Sequence, residues 1–293
     1  MSGVPHRPPG TTVVDSTDGV AIAVTDLSGP DADGPPVLLA HATGFCAAVW
    51  RPFVEAFAAA APGHRLLALD FRGHGDSSAP EDHPYSWHGF ADDVLAVVDA
   101  LGLDHPVGIG HSKGGASLIL AEERRPGTFS ALWVYEPVVV PPDIAGFSGD
   151  NPLAVGALRR RASFPNRAAA LANFAAKPPM DVFDPAARAA YVDGAFRADA
   201  DGVLHLKCPP PVEAQVYRMG SQHGAWDGLP ALALPVSVAR GNSSGFGPAA
   251  FADRVAARIP HGRLEVFPQL GHFGPLEAPG ETARAAARAM YGG

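Results

Sequence analysis

Cysteine is nearly missing: Cys46 and Cys208 are the only two in 293 residues. That is too few for a disulfide framework and points to a reduced, cytoplasmic chain. Lysine is almost as scarce, found only at 113, 177 and 207, and the other 19 of the 22 basic residues are arginine, a bias of coding composition rather than of function. With a formal net charge of -8 and no basic block beyond Arg159, Arg160 and Arg161, the chain lacks the electrostatic footprint of a nucleic-acid binder. No apolar run reaches the length of a membrane span, and the opening MSGVPHRPPG has no apolar signal core. Repeats of 20 to 50 residues are missing as well. So are H-E-x-x-H, Cys/His clusters of metal spacing, and a G-x-G-x-x-G or P-loop after a strand, so no metal or cofactor is implied.

What is present is core-forming material, with 47% apolar and 18% charged residues, enough for a substantial buried interior. Short β-rich runs occur at 21–27, 36–42, 64–71, 106–111, 131–139, 233–239 and 262–268, and helical patterns at 49–61, 87–101, 113–125, 247–259 and 280–291. Strand and helix in alternation predict an α/β chain, a mostly parallel sheet with helices on both faces. From 141 to 226 the alternation stops, and Ala- and Arg-rich segments broken by PNR, KPPMD and CPPP read as an all-helical insertion over the carboxyl edge of the sheet. The expected division is a core of 1–140 with 227–293, and a cap of 141–226. Ligands of open α/β sheets bind beyond the carboxyl ends of the strands, so such a cap would roof a pocket; a purely structural elaboration is the plainer alternative.

G-x-S-x-G occurs twice, around Ser112 (GHSKG) and around Ser243 (GNSSG). Ser112 follows the apolar run PVGIG and precedes KGGASLILAEE, the strand, sharp turn and helix that a nucleophile elbow requires. Gly110, Gly114 and Gly115 leave the space such a turn needs. Ser243 reads as a loop serine, because Phe246 and Pro248 intervene before the next helix and too little chain follows for an acid and a base. A serine hydroxyl needs an imidazole to take its proton, and that imidazole needs an acid to fix its tautomer. Of His205, His223, His261 and His272, only His272 stands in a Gly-rich loop directly after the last strand, and it is the expected base. His205 and His223 fall in the insertion as solvent-facing or cap-stabilising residues, and His261 precedes the strand.

Four motifs together, HATGFCAAVW (41–50), LDFRGHGDSS (69–78), GHSKGG and LGHFGPLE, make the chain resemble the α/β-hydrolase superfamily over almost its full length. The resemblance implies a sheet of about eight strands, an oxyanion hole from the backbone N–H groups of Thr43 and Lys113, and acyl chemistry, since members that open epoxides or displace halide carry an aspartate at the elbow. The acid departs from the commonest pattern. No carboxylate occurs between Arg240 and Asp253, where Asn242 or Ser244 fills the loop, whereas Glu136, at the end of ALWVYE, resembles the acid of haloalkane-dehalogenase-like members. Glu136 is therefore assigned as the acid.

The expected activity is that of a serine esterase cleaving an ester, lactone or thioester of a small, largely apolar acyl substrate. A non-hydrolytic or acyl-transfer enzyme, or a ligand-binding protein without turnover, is the alternative. From the core His41, Phe45, Trp50, His111 and Phe273, and from the cap Phe164, Phe183 and Tyr217, are candidate pocket residues. Core packing is the plainer role for the cap aromatics. The Lys113 side chain reads as reaching solvent or a carboxylate rather than as a catalytic amine. Asp70, Arg72, Asp76 and Ser77 read as a tight-turn network, and Asp92 and Asp93 as the solvated face of a helix. Monomer and homodimer both remain open.

Overall fold

Parallel strands covered on both faces must be apolar on both, and the chain meets this with unbroken runs such as PVLLA and VGIG. The computed structural model describes residues 10–29, 32–81, 84–144, 149–220, 222–243 and 247–292. Their elements begin with strands β1 (Thr11–Asp15), β2 (Ala21–Asp26) and β3 (Gly34–Ala40), then α1 (Arg51–Ala60), β4 (His64–Leu69), α2 (Trp87–Ala100), β5 (Val107–His111), α3 (Lys113–Arg124) and β6 (Ala131–Tyr135). An intervening segment holds α4 (Pro152–Leu158), β7 (Ser163–Phe164), α5 (Arg167–Ala175), α6 (Pro185–Ala195), β8 (Phe196–Ala198), β9 (Leu204–Leu206), α7 (Pro210–Met219) and α8 (Ala225–Gly228). The alternation then resumes with β10 (Val236–Arg240), α9 (Ala252–Arg258), β11 (Gly262–Val266), α10 (Gly274–Glu277) and α11 (Pro279–Tyr291).

Eight strands form the main sheet in the order β1-β2-β4-β3-β5-β6-β10-β11. The β1–β2 and β2–β4 pairs are antiparallel and all others parallel. Alternate residues of each strand feed two cores: Leu38, Leu67 and Val134 meet α2, α3 and α9, while Val37, Leu66, Ile109 and Trp133 meet α1 and α11. Each strand predicted in this sheet is present. β1 escaped the reading because its TTVVD buries only Val14, leaving almost no periodic signal.

The segment 141–226 corrects the expectation of an all-helical insertion. Its helices are announced by caps: the side chains of Asn151, Asn166 and Asp184 accept from backbone N–H groups of the following first turns. Between them β7, β9 and β8 pair as a small antiparallel sheet. The Asp199 carboxylate closes the β8–β9 turn by accepting from the amides of Asp201 and Val203 at 3.0 and 2.9 Å. Strands of two or three residues are too short to show alternation, so only the D-G pair Asp201–Gly202 marked this hairpin.

Candidate active site

The turn from β5 into α3 puts Ser112 at φ 54°, ψ −115°, a backbone conformation that L-residues avoid and that a neighbouring structure must hold in place. The hold comes from both sides. Ser112 N–H donates to Tyr135 O at 2.9 Å and its carbonyl accepts from Ala116 N at 3.1 Å. A Cβ on Gly114 would stand 2.1 Å from Ala40 O, so the first turn of α3 lies against the end of β3 only because that residue is glycine.

Glu136 follows β6 directly, at φ 45°, and is 1% exposed. Both carboxylate oxygens are engaged. Oε1 accepts from Gly241 N at 2.9 Å and Oε2 meets His272 Nδ1 at 2.6 Å. A carboxylate facing Nδ1 fixes the proton there and leaves the lone pair on Nε2. Among the described residues, Ser112 Oγ makes no hydrogen bond, that to His272 included. Asn242, in the loop where the commoner acid position falls, donates through its side chain to Leu270 O at 2.8 Å, and Ser244 lies outside the described residues. Ser243 lies at the exposed end of that loop. The neighbouring Arg240 pairs with Asp253 at 2.6 Å.

Thr43, in the loop after β3, and Lys113, directly after the serine, are both buried. His41 sets the Thr43 loop: its Nδ1–H donates to Ala42 O at 2.7 Å and its Nε2 accepts from Phe71 N at 3.1 Å, the tautomer of a neutral ring whose burial holds its pKa well below the ordinary histidine range. Downstream, Asp70 accepts from the amides of Ala47 and Asp76 at 2.6 and 2.9 Å, and Ser77 Oγ donates to Asp70 O at 2.5 Å. The tight-turn network thus braces the loop that carries Thr43. Gly44, at φ 79°, lies under the intervening segment, where a Cβ would be 2.5 Å from Glu213 Oε1. Glu213 pairs with Arg160, which also reaches the Tyr191 hydroxyl.

Two charges differ from expectation. Lys113 reaches neither solvent nor a carboxylate: it is 1% exposed, with Nζ between the rings of Phe71 and Phe90. Burial pushes its pKa down to about 7. Asp93 is also corrected, for it is fully buried and accepts from Arg72 Nη2 at 2.8 Å. The turn at Ser16–Asp18 covers that part of α2, so helical periodicity alone misplaced it. Asp92 is half-buried and pairs with Arg124.

Of the candidate pocket residues, Phe45, Phe183 and Phe273 meet beside His272, with ring centres 5.2 to 6.0 Å apart. Phe164 packs on Phe174 and Phe196, and Trp50 on Phe53. Tyr217 is half-buried near Glu213, Arg160 and Cys208.

A family model for the alpha/beta hydrolase family matches residues 37–285. The chain belongs to that family. This alpha/beta hydrolase is 31% identical over 268 residues to a monoacylglycerol lipase of Mycolicibacterium smegmatis, an alignment covering 87% of the chain and 86% of the lipase. A shorter match, 34% over 119 residues, is to an epoxide hydrolase of Caballeronia sordidicola, covering 40% of the chain and 34% of that protein. Among solved structures, an E-2-(acetamidomethylene)succinate hydrolase superposes with a TM-score of 0.75 at 20% identity, over 96% of this chain and 98% of that one, a likeness of fold.

Several residues that hold the hydrolase site together carry no signal in a motif reading. Glu277 accepts from the amides of Gly271 and Phe273 at 2.8 and 3.1 Å, clamping both flanks of His272. The Tyr135 hydroxyl donates to Gly271 O at 2.8 Å and His111 Nε2 to His272 O at 2.8 Å. Tyr135 and His111 sit side by side at the ends of β6 and β5. A carboxylate five residues after the loop histidine was the one available clue. In the intervening segment, His205 pairs with Asp199 at 2.8 Å and His223 donates to Val138 O at 2.7 Å, both structural contacts.

Proposed function

We propose that this alpha/beta hydrolase is a serine hydrolase of ester-like acyl bonds, with Ser112 as nucleophile, His272 as base and then acid, Glu136 as the orienting carboxylate, and 141–226 as the cap. The observation that carries the reading is the 2.6 Å contact of Glu136 with His272 Nδ1 at the mouth of a strained serine elbow. Similarity to a monoacylglycerol lipase over 87% of the chain supports an ester. The serine at the elbow favours acyl transfer to the enzyme over the epoxide chemistry named for the partial relative.

His272 Nε2 takes the Ser112 proton as Oγ bonds to the carbonyl carbon, and the carbonyl π pair moves to oxygen. The Thr43 and Lys113 amides face that oxyanion. Its collapse expels the leaving oxygen or sulfur, which takes the proton back from His272. Water then repeats the sequence on the acyl-serine and releases the acid. Throughout, Glu136 stays ionised and stabilises the imidazolium.

The test is release of p-nitrophenol from short and medium acyl esters, together with labelling by a fluorophosphonate. The expected result is turnover and labelling by the native chain and loss of both in Ser112→Ala. A well-folded native protein that neither labels nor turns over would overturn the reading.

A further inference from the structure

Lys113 carries a buried cation on the residue directly after the proposed nucleophile, where the proposed chemistry does not use its side chain. Its backbone opens α3 directly after Ser112, so the side chain starts beside the reacting carbonyl. Nζ lies 3.9 Å from the ring centre of Phe71 and 4.4 Å from that of Phe90, an arrangement that favours a cation. Yet it has no hydrogen-bond partner among the described residues, although an ammonium carries three donors. Two further buried polar atoms have no hydrogen-bond partner among the described residues: Nε2 of His74, whose ring feels the Lys113 charge, and the Tyr85 hydroxyl, packed on the neighbouring Gly73.

The charged and titratable groups acting on Lys113 are Cys208, from the intervening segment, and Asp93, Asp70, Arg72, His41 and His74 from the core. The carboxylates among them are committed elsewhere: Asp93 to Arg72, and Asp70 to the amides of Ala47 and Asp76. A buried polar group left unmatched inside a protein calls for a partner that the chain does not supply.

Strand order shows which part of a substrate would come to Lys113. Glu136 and His272 follow β6 and β11 on one side of Ser112, whereas Phe71 and His74 follow β4 on the other. The leaving group must stay within reach of His272, so the acyl chain runs toward β4. We infer that Lys113 is the specificity-determining cation of the acyl site and binds a carboxylate at the far end of the substrate's acyl chain. The preferred substrate is then a hemiester or hemithioester of a short dicarboxylic acid, its methylenes lying against the phenylalanine rings. This inference rests on the reading of Ser112 as the nucleophile. Burial lowers the Lys113 pKa to about 7, and a bound carboxylate holds the proton on, so binding weakens as the pH rises above neutrality.

The experiment compares native protein, Ser112→Ala and Lys113→Met, using glutarate as the binding probe and two substrates, p-nitrophenyl hydrogen glutarate and p-nitrophenyl butyrate. Glutarate is expected to raise the melting temperature of native protein and Ser112→Ala, and to leave Lys113→Met unmoved. Native protein is expected to favour the hemiester in kcat/KM by at least about tenfold, and Lys113→Met to bring the ratio near one, chiefly through KM. If glutarate does not shift the native protein, or shifts Lys113→Met equally, the inference fails, and Lys113 serves packing or a buried water only. If butyrate is cleaved while glutarate does not bind, the serine reading stands without it. If glutarate binding requires Lys113 but no ester is cleaved, the carboxylate site stands and the serine reading falls.

Discussion

Glu136 spends both oxygens on N–H donors, Gly241 N and His272 Nδ1. A glutamine there keeps the shape, but its NH2 group must face one of those donors, which turns the imidazole to the wrong tautomer. Glu136→Gln is expected to lower kcat by about 10⁴-fold with an unfolding curve close to native, read by ester turnover and a thermal melt. At Lys113 the consequence is for stability. The folded chain gives up this proton near pH 7 while the unfolded chain keeps it to about 10.5, so the cost of the buried cation is full below pH 7 and fades between 7 and 10.5. Lys113→Met should therefore stabilise most at pH 6, by about 1–4 kcal/mol, with the gain shrinking toward pH 10. Melts across that range check it; a pH-independent difference would mean that the native amine is not desolvated.

Elements were legible where burial imposed a pattern on neighbouring residues. The run PVLLA declares β3 because both faces are covered, and Ser112 declares its elbow because glycines crowd around it. Lys113 and Asp93 were not legible, because their surroundings come from elsewhere in the chain: Phe71 and Phe90 for the lysine, Arg72 and the turn at Ser16–Asp18 for the aspartate. The assignment of Glu136 beside His272 needed topology as well as motif, and the structure brings the two side chains together. The contact of α3 with β3 can be tested at Gly114. With its Cβ only 2.1 Å from Ala40 O, Gly114→Ala must push the start of α3 away from β3, at a cost of about 1–3 kcal/mol. Because Ser112 and the Lys113 amide move with it, turnover should fall further than stability does. Equal residual activity and residual stability would show that the elbow had not shifted.

Across the whole molecule, the intervening segment is tied to the core by a buried ion pair, Lys207 with Asp76 at 2.9 Å, their side chains 9% and 6% exposed. Arg197, the other cation near Asp76, is 3.9 Å away and largely exposed. Lys207→Met leaves a buried carboxylate without a close partner and is expected to cost about 3–5 kcal/mol in denaturant unfolding. Removing Arg167, whose partner Asp193 is exposed, should cost far less, because solvent screens the pair. Similar losses from both variants would mean that the Lys207 pair is effectively hydrated.

Ser112, Glu136 and His272 all leave the main sheet, and none of them comes from 141–226. The proposed triad and the proposed cap are thus written in separate stretches of the gene, free to diverge at different speeds. A chimera that carries a relative's stretch in place of 141–226 would keep its own Ser112, Glu136 and His272. The preference that Lys113 encodes would stay behind with the sheet.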